Sequence, residues 1–97
     1  MKAIDIRITG RVQGVSFRAW TVETARELGL NGWVRNHPDM SVLIHLEGDD
    51  DAVDTMVKRL HEGPPLARVD RLVAVPCESK GINGFELLRR QRNLEVS

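Results

Sequence analysis

Two segments with helical periodicity lie between segments whose apolar residues alternate, and this order limits the fold more than any other feature of the chain. Residues 3–9 place Ile4, Ile6 and Ile8 on one side and polar residues on the other, which is typical of a half-buried strand. Residues 41–47 alternate in the same way. Strands with one apolar face each predict a sheet that is packed on one side and open on the other.

The two helical segments each carry one apolar face. The first is predicted at residues 17–29, because Gly29 lies where a helix C-cap glycine belongs. The second is expected to begin at Asp49–Asp51, whose carboxylates cap free N–H groups and suit the helix dipole, and to end at Gly63-Pro64-Pro65. The apolar faces contain Phe17, Trp20, Thr21, Thr24, Ala25 and Leu28 in the first helix and Val53, Met56, Val57 and Leu60 in the second.

The remaining segments predict short strands and a turn. Strands are expected at 31–35, 68–75 and 85–88, a turn at 36–39, and an edge or a strand end at Pro76. The order is β-α-β-β-α-β with one further strand as an option, which is the ferredoxin-like pattern. Because two helices of this length cover only one face, we expect an α+β two-layer sandwich, an antiparallel sheet with two helices on one face. Residues 1–97 suit a single domain whose polar tail, 91–97, is expected to fray.

Charge and composition argue against several classes of partner. Fourteen basic and fourteen acidic side chains cancel, so we expect no long-range attraction to nucleic acid or to an anionic membrane. No apolar run approaches the roughly 20 residues of a membrane span, and the first residues mix charged with apolar side chains, unlike a signal peptide. Cys77 has no second cysteine to pair with, which favours the reducing cytoplasm. Nothing in the sequence requires more than a monomer.

The three histidines do not form a metal-ligand pattern by their spacing. His45 alternates outward on its strand, His61 ends the second helix, and His37 lies in the turn. Cys77 lacks the second cysteine of a CxxC metal or redox site. Asp49–Asp51 lack the spacing of a calcium loop. We therefore expect no metal and no cofactor.

The segment that joins the first strand to the first helix is the strongest candidate for a site. Its sequence is Gly10-Arg11-Val12-Gln13-Gly14-Val15-Ser16-Phe17-Arg18. Such a junction presents unpaired backbone N–H groups at the positive end of a helix dipole, which suits an anion, and Gly14 permits unusual backbone angles. Arg18 lies in the first helical turn, where its charge opposes the dipole but its planar donors suit phosphate oxygens. Two interpretations stay open: an anion site, or an ordinary turn with a surface arginine.

Three segments together resemble the acylphosphatase family. Residues 10–18 resemble its first signature, and Leu28-Gly29-Leu30-Asn31-Gly32-Trp33-Val34-Arg35-Asn36 resembles a second, about one helix later. Gly63-Pro64-Pro65-Leu66-Ala67-Arg68-Val69 is a weaker third match. The resemblance runs from the first strand to Phe85, and its specificity comes from the combination of the first two motifs.

The resemblance implies an activity and roles for particular residues. Members of the family hydrolyse the carboxyl–phosphate bond of a small-molecule acyl phosphate to a carboxylate and inorganic phosphate, without a metal. By this resemblance, backbone N–H groups of the loop bind the phosphoryl group, Arg18 supplies positive charge, and Asn36 positions the water for in-line attack. The implied phosphoryl-binding residues are Gln13, Gly14, Val15, Ser16, Phe17 and Arg18.

Two positions depart from the family's pattern. The family usually has glycine after the aspartate of the turn that follows the active-site asparagine, and this chain has Met40 there. If that residue has positive φ, methionine is strained by about 1 kcal/mol or more. Family members also often close with a tyrosine soon after the last strand, whereas this chain has no tyrosine and continues to Ser97.

Three alternatives share the predicted topology. A phosphate- or anion-binding module that has lost turnover would keep the loop, and Met40 favours it. An RNA-binding domain would need aromatic residues on the open face and a basic surface, which the polar alternate residues of the first strand and the zero net charge argue against. A domain of a carbamoyl-transferring maturation factor is not expected, because the sequence shows no further domain.

Overall fold

The structure, a computed structural model, describes residues 1–89, and the expected fraying of residues 91–97 lies outside this range. Two α-helices and five β-strands follow one another along residues 1–89 in the predicted order. The elements are β1 (Lys2–Arg11), α1 (Phe17–Glu27), β2 (Asn31–Asn36), β3 (Val42–Gly48), α2 (Asp50–Glu62), β4 (Arg68–Pro76) and β5 (Phe85–Leu88). The ferredoxin-like α+β sandwich expected from the sequence is confirmed.

The strands form one sheet in the order β4-β1-β3-β2-β5. All neighbouring pairs are antiparallel except β2 and β5, which run parallel, so the expectation of an antiparallel sheet is wrong at this edge. Residues 77–84 explain the exception, because they carry the chain from the β4 edge across the sheet to the opposite edge. After that crossing, β5 runs opposite to β4. β2 also runs opposite to β4, so β5 and β2 are parallel. As Pro76 indicated, β4 is an edge strand and ends at that proline.

The core lies between the sheet and the two helices. α1 packs over β2 and β5, and α2 packs over β1, β3 and β4. Each fully buried aliphatic or aromatic side chain contributes about 1.5–3 kcal/mol to the free energy of unfolding. The hydrophobic residues that are at most 3% exposed include Ile6, Ile8, Phe17, Val34, Val42, Ile44, Leu46, Val53, Met56, Leu60 and Phe85. These residues belong to both helices and to four of the five strands, so their packing fixes the connecting loops relative to one another.

The helix ends agree only in part with the sequence. Gly29 has a φ of 72°, as a residue that closes a helix in the left-handed conformation. Asp49 precedes α2 but makes no side-chain cap hydrogen bond, so its predicted capping role is wrong. Asp50 and Asp51 lie in the first turn, where their charges suit the dipole. Neither α1 nor α2, the helices of residues 1–89, is long and apolar enough to cross a membrane.

Part of the open face of the sheet is covered. His45 points to this face, as its alternation predicts, but its side chain is fully buried and so is that of Glu47. Residues 77–84 cover them, and the Ser79 hydroxyl and the Lys80 backbone N–H donate hydrogen bonds to the Glu47 carboxylate. The sequence therefore predicted the correct face of β3 for His45, but this side chain is not exposed to solvent.

Glu47 keeps its negative charge despite its burial. Burial acts to raise the pKa of this carboxyl group, but hydrogen bonds from His45, from the Lys80 N–H and from Ser79 lower the pKa to about 2. The shortest of the side-chain contacts joins His45 Nε2 to Glu47 Oε2 at 2.6 Å. A buried carboxylate with this many donors holds residues 77–84 against the sheet.

Candidate active site

The β1–α1 loop and the β2–β3 hairpin meet at one end of the sheet. Ile8 of β1 and Asn36 of β2 both pair with Val42, the first residue of β3. Gln13 joins the two loops, because its side-chain Nε2 donates to the backbone oxygens of His37 and Ser41, each at 2.9 Å. The Gln13 side chain therefore has a structural partner, and what it offers an anion is its place in the loop backbone.

The backbone of the β1–α1 loop suits an anion. Gly14 has a φ of 75° and Ser16 a φ of 63°, and left-handed residues in a short loop are typical of concave nests of N–H groups. Ser16 is the N-cap residue of α1, but its hydroxyl makes no cap hydrogen bond, and the first turn of α1 contains no acidic residue. The first N–H groups of α1 and its positive dipole end are therefore available to an anion.

Val15 and Phe17 can offer an anion only their backbone groups. Their side chains are buried in the core, at 7% and 1% exposure respectively. These anchors hold the loop between them in place, with Gly14 and Ser16 exposed. A Cβ at Gly14 would meet no atom within 4 Å, so the backbone angle and not space requires glycine there.

Arg18 is fixed at the mouth of this loop. Its Nη1 donates to the backbone oxygen of Leu88, at the end of β5, over 3.2 Å. A guanidinium has five N–H donors in a planar fork, and this contact uses one of them. Because the side chain is already ordered by this contact, its remaining donors can bind an anion at little further cost in side-chain entropy.

The hairpin turn next to the loop is tightly bonded. Met40 N–H donates to the His37 oxygen at 2.9 Å, and His37 N–H donates to the Ser41 oxygen at the same distance. Asp39 Oδ1 accepts from the Ser41 N–H at 2.9 Å and from its hydroxyl at 2.5 Å. Arg7, which lies on β1, forms an ion pair with Asp39. The predicted turn at 36–39 therefore begins one residue later, at His37, and Asn36 is the last residue of β2.

Asn36 carries an unusual atom. Its side-chain Oδ1 is buried and has no hydrogen-bond partner among residues 1–89. Leaving a buried carbonyl oxygen unpaired costs about 1–3 kcal/mol, and such a group in a native structure calls for an explanation. A water molecule or a ligand that donates a hydrogen bond would satisfy it.

Arg18 and Asn36 line the same two pockets. One has a volume of about 290 Å³ and is also lined by Gln13, His37, Met40 and the second arginine, Arg89. The other, of about 180 Å³, lies against the loop and is lined also by Gly14 and Ser16. The described residues that line these pockets include two arginines and no carboxylate, so the site favours an anion.

Backbone strain is concentrated at the same place. Within the described range 1–89, the non-glycine residues with positive φ are Ser16 and Met40, with φ values of 63° and 77°. Both line the pockets described above. Left-handed backbone costs a residue with a Cβ about 1–2 kcal/mol, and strain of this kind clusters at functional sites.

The fold brings together the site residues that the sequence predicted. The loop, Arg18 and Asn36 line the same pockets.

Comparison with known proteins decides the family. The family model described as acylphosphatase matches residues 4–87. The chain belongs to the acylphosphatase family. An acylphosphatase of Trichormus variabilis is 49% identical over 86 residues, which are 89% of this chain and 85% of that protein. The crystal structure of acylphosphatase from Bacillus subtilis superposes with a TM-score of 0.88 at 32% identity, covering 91% of this chain and 99% of that one.

A further solved structure belongs to a much longer chain. The HypF protein of T. kodakarensis matches with a TM-score of 0.82 at 33% identity, but the match covers 92% of this chain and only 12% of that chain. The small acylphosphatases match over nearly their whole length, and they identify this chain as an acylphosphate phosphohydrolase. The reading as a binding module without turnover is not favoured.

Sequence reasoning missed one lining residue of the candidate site and gave another little weight. Arg89 follows β5 directly and lines the larger pocket, although the sequence suggested only a polar tail from that point. His37 of the turn also lines it, with its Nδ1 2.9 Å from Asp39 Oδ1. The signal for Arg89 was a basic residue next to a strand end, which is too common to identify a site.

Met40→Gly is expected to leave hydrolysis intact and to raise the free energy of unfolding by up to about 1 kcal/mol. Glycine removes a strain of about 1–2 kcal/mol, and its greater freedom in the unfolded chain offsets about half of that. The Met40 side chain is 61% exposed, so little packing is lost. Thermal denaturation should show Tm rising by up to about 5 °C.

Met40→Ala is the matched control for this variant. Alanine removes the same side chain but keeps the left-handed strain, so its Tm should stay close to that of the unchanged protein. A lower Tm in both variants would show that packing of the methionine side chain outweighs the strain.

Proposed function

We propose that this acylphosphatase hydrolyses its substrate by direct in-line attack of water on a phosphoryl group held by loop residues 13–18. The observation that carries the proposal is the buried, unpartnered Asn36 Oδ1 in a pocket that Arg18 also lines. A water molecule bound to this oxygen would lie beside an anion held by the loop. The proposal needs only groups that the described chain supplies.

The loop and Arg18 bind the phosphoryl group in different ways. Backbone N–H groups around Gly14 and Ser16 surround its oxygens with fixed dipoles, which need no reorganisation during the reaction. Arg18 adds charge-assisted hydrogen bonds to the same oxygens. Because charge spreads over the equatorial phosphoryl oxygens in the transition state, these donors stabilise it most.

The chemistry requires neither a metal nor a general acid. The leaving group is a carboxylate, whose conjugate acid has a pKa of roughly 4.3, like that of glutamic acid. The bond from phosphorus to the carboxylate oxygen can therefore break with its electron pair leaving on an unprotonated carboxylate. No nucleophilic side chain is required, since water itself forms the new bond to phosphorus.

Asn36 orients that water. Its Oδ1 accepts one hydrogen bond from the water, which turns an oxygen lone pair toward phosphorus. As the new oxygen–phosphorus bond forms, the water's proton passes to a phosphoryl oxygen, and the products are the carboxylate and inorganic phosphate. Proximity and orientation of this kind account for large rate effects without any added charge.

We also propose that the enzyme works as a monomer in the cytoplasm on a small-molecule acyl phosphate. The unpaired Cys77 supports a reducing compartment. The fold buries a complete core within one chain. Size-exclusion chromatography with light scattering at working concentration would reject the monomer if the mass were a multiple of 10.9 kDa.

Hydrolysis of an aryl acyl phosphate in the presence of a chelator tests the mechanism. We expect full activity with chelator and little activity on a phosphate monoester, because the site cannot protonate a poor leaving group. Inorganic phosphate should inhibit competitively. Loss of activity with chelator would reject the metal-free mechanism, and phosphate binding without turnover would favour the binding module instead.

A further inference from the structure

A second cluster of functional side chains lies on the opposite face of the sheet from Asn36. It consists of Asp5 on β1, His45 on β3 and Cys77 directly after β4, and we call it the 5/45/77 cluster. One donor atom of each lies within 4.8 Å of the others. His45 Nδ1 is 2.7 Å from Asp5 Oδ1 and 3.7 Å from Cys77 Sγ. The hydrolysis proposed above uses none of these groups.

We propose that the 5/45/77 cluster is a binding site for a thiophilic divalent cation, with Zn²⁺ as the representative ion. The ligands are Asp5 Oδ1, His45 Nδ1 and Cys77 Sγ. Carboxylate, imidazole and thiolate are the three ligand types that zinc takes in proteins, and a site with three protein ligands leaves a fourth position for water.

The observed spacing is close to that of a tetrahedral site. Ligand bonds of 2.0–2.3 Å place neighbouring donor atoms about 3.2–3.8 Å apart. The sulfur-to-nitrogen distance of 3.7 Å already fits. The oxygen-to-nitrogen distance of 2.7 Å must open by roughly half an ångström or more, and the Asp5 side chain is 50% exposed and free of the core, so it can move.

His45 is held in the orientation that a ligand needs. Its other ring nitrogen, Nε2, lies 2.6 Å from Glu47 Oε2. With an ion on Nδ1 in place of the hydrogen bond to Asp5, the proton on Nε2 is donated to this carboxylate. A carboxylate behind a ligating histidine is the common outer partner in zinc sites and raises the basicity of the imidazole.

The local charge also suits a cation. Two carboxylates, Asp5 and Glu47, flank one imidazole, and Lys80 on the covering segment is one of the cations nearby. Binding replaces the thiol proton with the metal and releases that proton to solvent.

A bound ion would connect three separate parts of the chain. Asp5 and His45 belong to adjacent strands, whereas Cys77 begins the segment 77–84 that crosses the sheet. The ion would fasten this segment to the sheet in addition to the Glu47 hydrogen bonds. Because a folded site binds the ion and the unfolded chain does not, zinc at about 100 times its Kd should raise Tm by about 10 °C or more.

Metal titration of the reduced, metal-free full chain tests the proposal. Isothermal titration with Zn²⁺ should give one ion per chain, and Co²⁺ should develop a thiolate-to-metal charge-transfer band. The chain has a single cysteine, so such a band can arise only at Cys77. Cys77→Ala should abolish the band and weaken Zn²⁺ binding by about 100-fold or more, and Asp5→Asn should weaken it by about 10-fold or more.

Two further variants complete the design. His61→Ala changes an exposed histidine at the end of α2 and should bind Zn²⁺ like the unchanged chain. Glu47→Gln should weaken binding by about 10–100-fold through His45, with circular dichroism to confirm its fold. No thiolate band with Co²⁺, or equal Zn²⁺ affinity in Cys77→Ala and the unchanged chain, overturns the proposal.

Discussion

Arg18→Ala is expected to lower kcat/KM for an acyl phosphate by about 10³-fold and to weaken competitive inhibition by inorganic phosphate. Arg18 is proposed to hold the phosphoryl group in both the ground state and the transition state. Its loss should therefore raise the inhibition constant of phosphate and lower kcat together. The measurement is steady-state hydrolysis with phosphate as the inhibitor. Arg18→Lys should recover only part of both, because lysine keeps the charge without the planar fork.

Arg26→Ala is the matched control for Arg18. The Arg26 guanidinium donates from Nε and Nη2 to the Phe85 oxygen, at 3.2 and 2.9 Å, just as Arg18 donates to the Leu88 oxygen. Both arginines thus join α1 to β5, but Arg26 does not line the pockets. Arg26→Ala should lower Tm and leave the phosphate inhibition constant unchanged. If Arg18→Ala does the same, Arg18 is only a structural contact.

The helices and strands could be predicted from the sequence because the local apolar patterns match the faces that tertiary packing buries. The alternation of Ile4, Ile6 and Ile8 indicates which face of β1 is buried, and the structure buries all three. The direction of β5 at the sheet edge could not be predicted from the sequence. The parallel pairing of β5 depends on where residues 77–84 cross the sheet, and no local pattern in those residues specifies that path.

The candidate site was predictable in its residue types and less so in its geometry. Loop 10–18 and Asn36 were found through motifs, whereas the bond from Gln13 to the hairpin and the lining by Arg89 depend on tertiary contacts. The strain at Met40 was anticipated, and its φ of 77° confirms it. Strain at Ser16 was missed, because serine at a helix start ordinarily indicates a cap and not a left-handed residue.

The 5/45/77 cluster shows the limit of spacing arguments for metal ligands. Asp5, His45 and Cys77 are separated by 40 and 32 residues, so no ligand motif is visible in the sequence. Their proximity follows from the pairing of Asp5 with His45 across β1 and β3, and of Asp5 with Val75 across β1 and β4. Cys77 then follows two residues after Val75. Strand register, and not sequence spacing, brings such donors together.

Asn36→Ala is expected to lower kcat by about 10²-fold or more while inorganic phosphate still inhibits nearly as before. Asn36 is proposed to orient the water and not to bind the phosphoryl group, so its loss acts mainly on the transition state. The unpartnered Oδ1 motivates this split, since an oxygen that served only the turn would have a partner in it. For the same reason the variant should fold with an unchanged or slightly higher Tm, because a buried unsatisfied acceptor is removed.

Asn31→Ala provides the comparison on the same strand. Asn31 begins β2, and its Oδ1 accepts a hydrogen bond from the Gly84 N–H at 2.9 Å, so this amide oxygen has the partner that Asn36 Oδ1 lacks among the described residues. Its replacement should lower Tm and leave kcat close to normal, which is the reverse of the result expected for Asn36. A folded Asn36→Ala enzyme with near-normal kcat would assign the Asn36 amide to the turn. A loss of phosphate inhibition in that variant would instead place the amide on the phosphoryl group, because an amide that only positions water cannot change the affinity for the product anion.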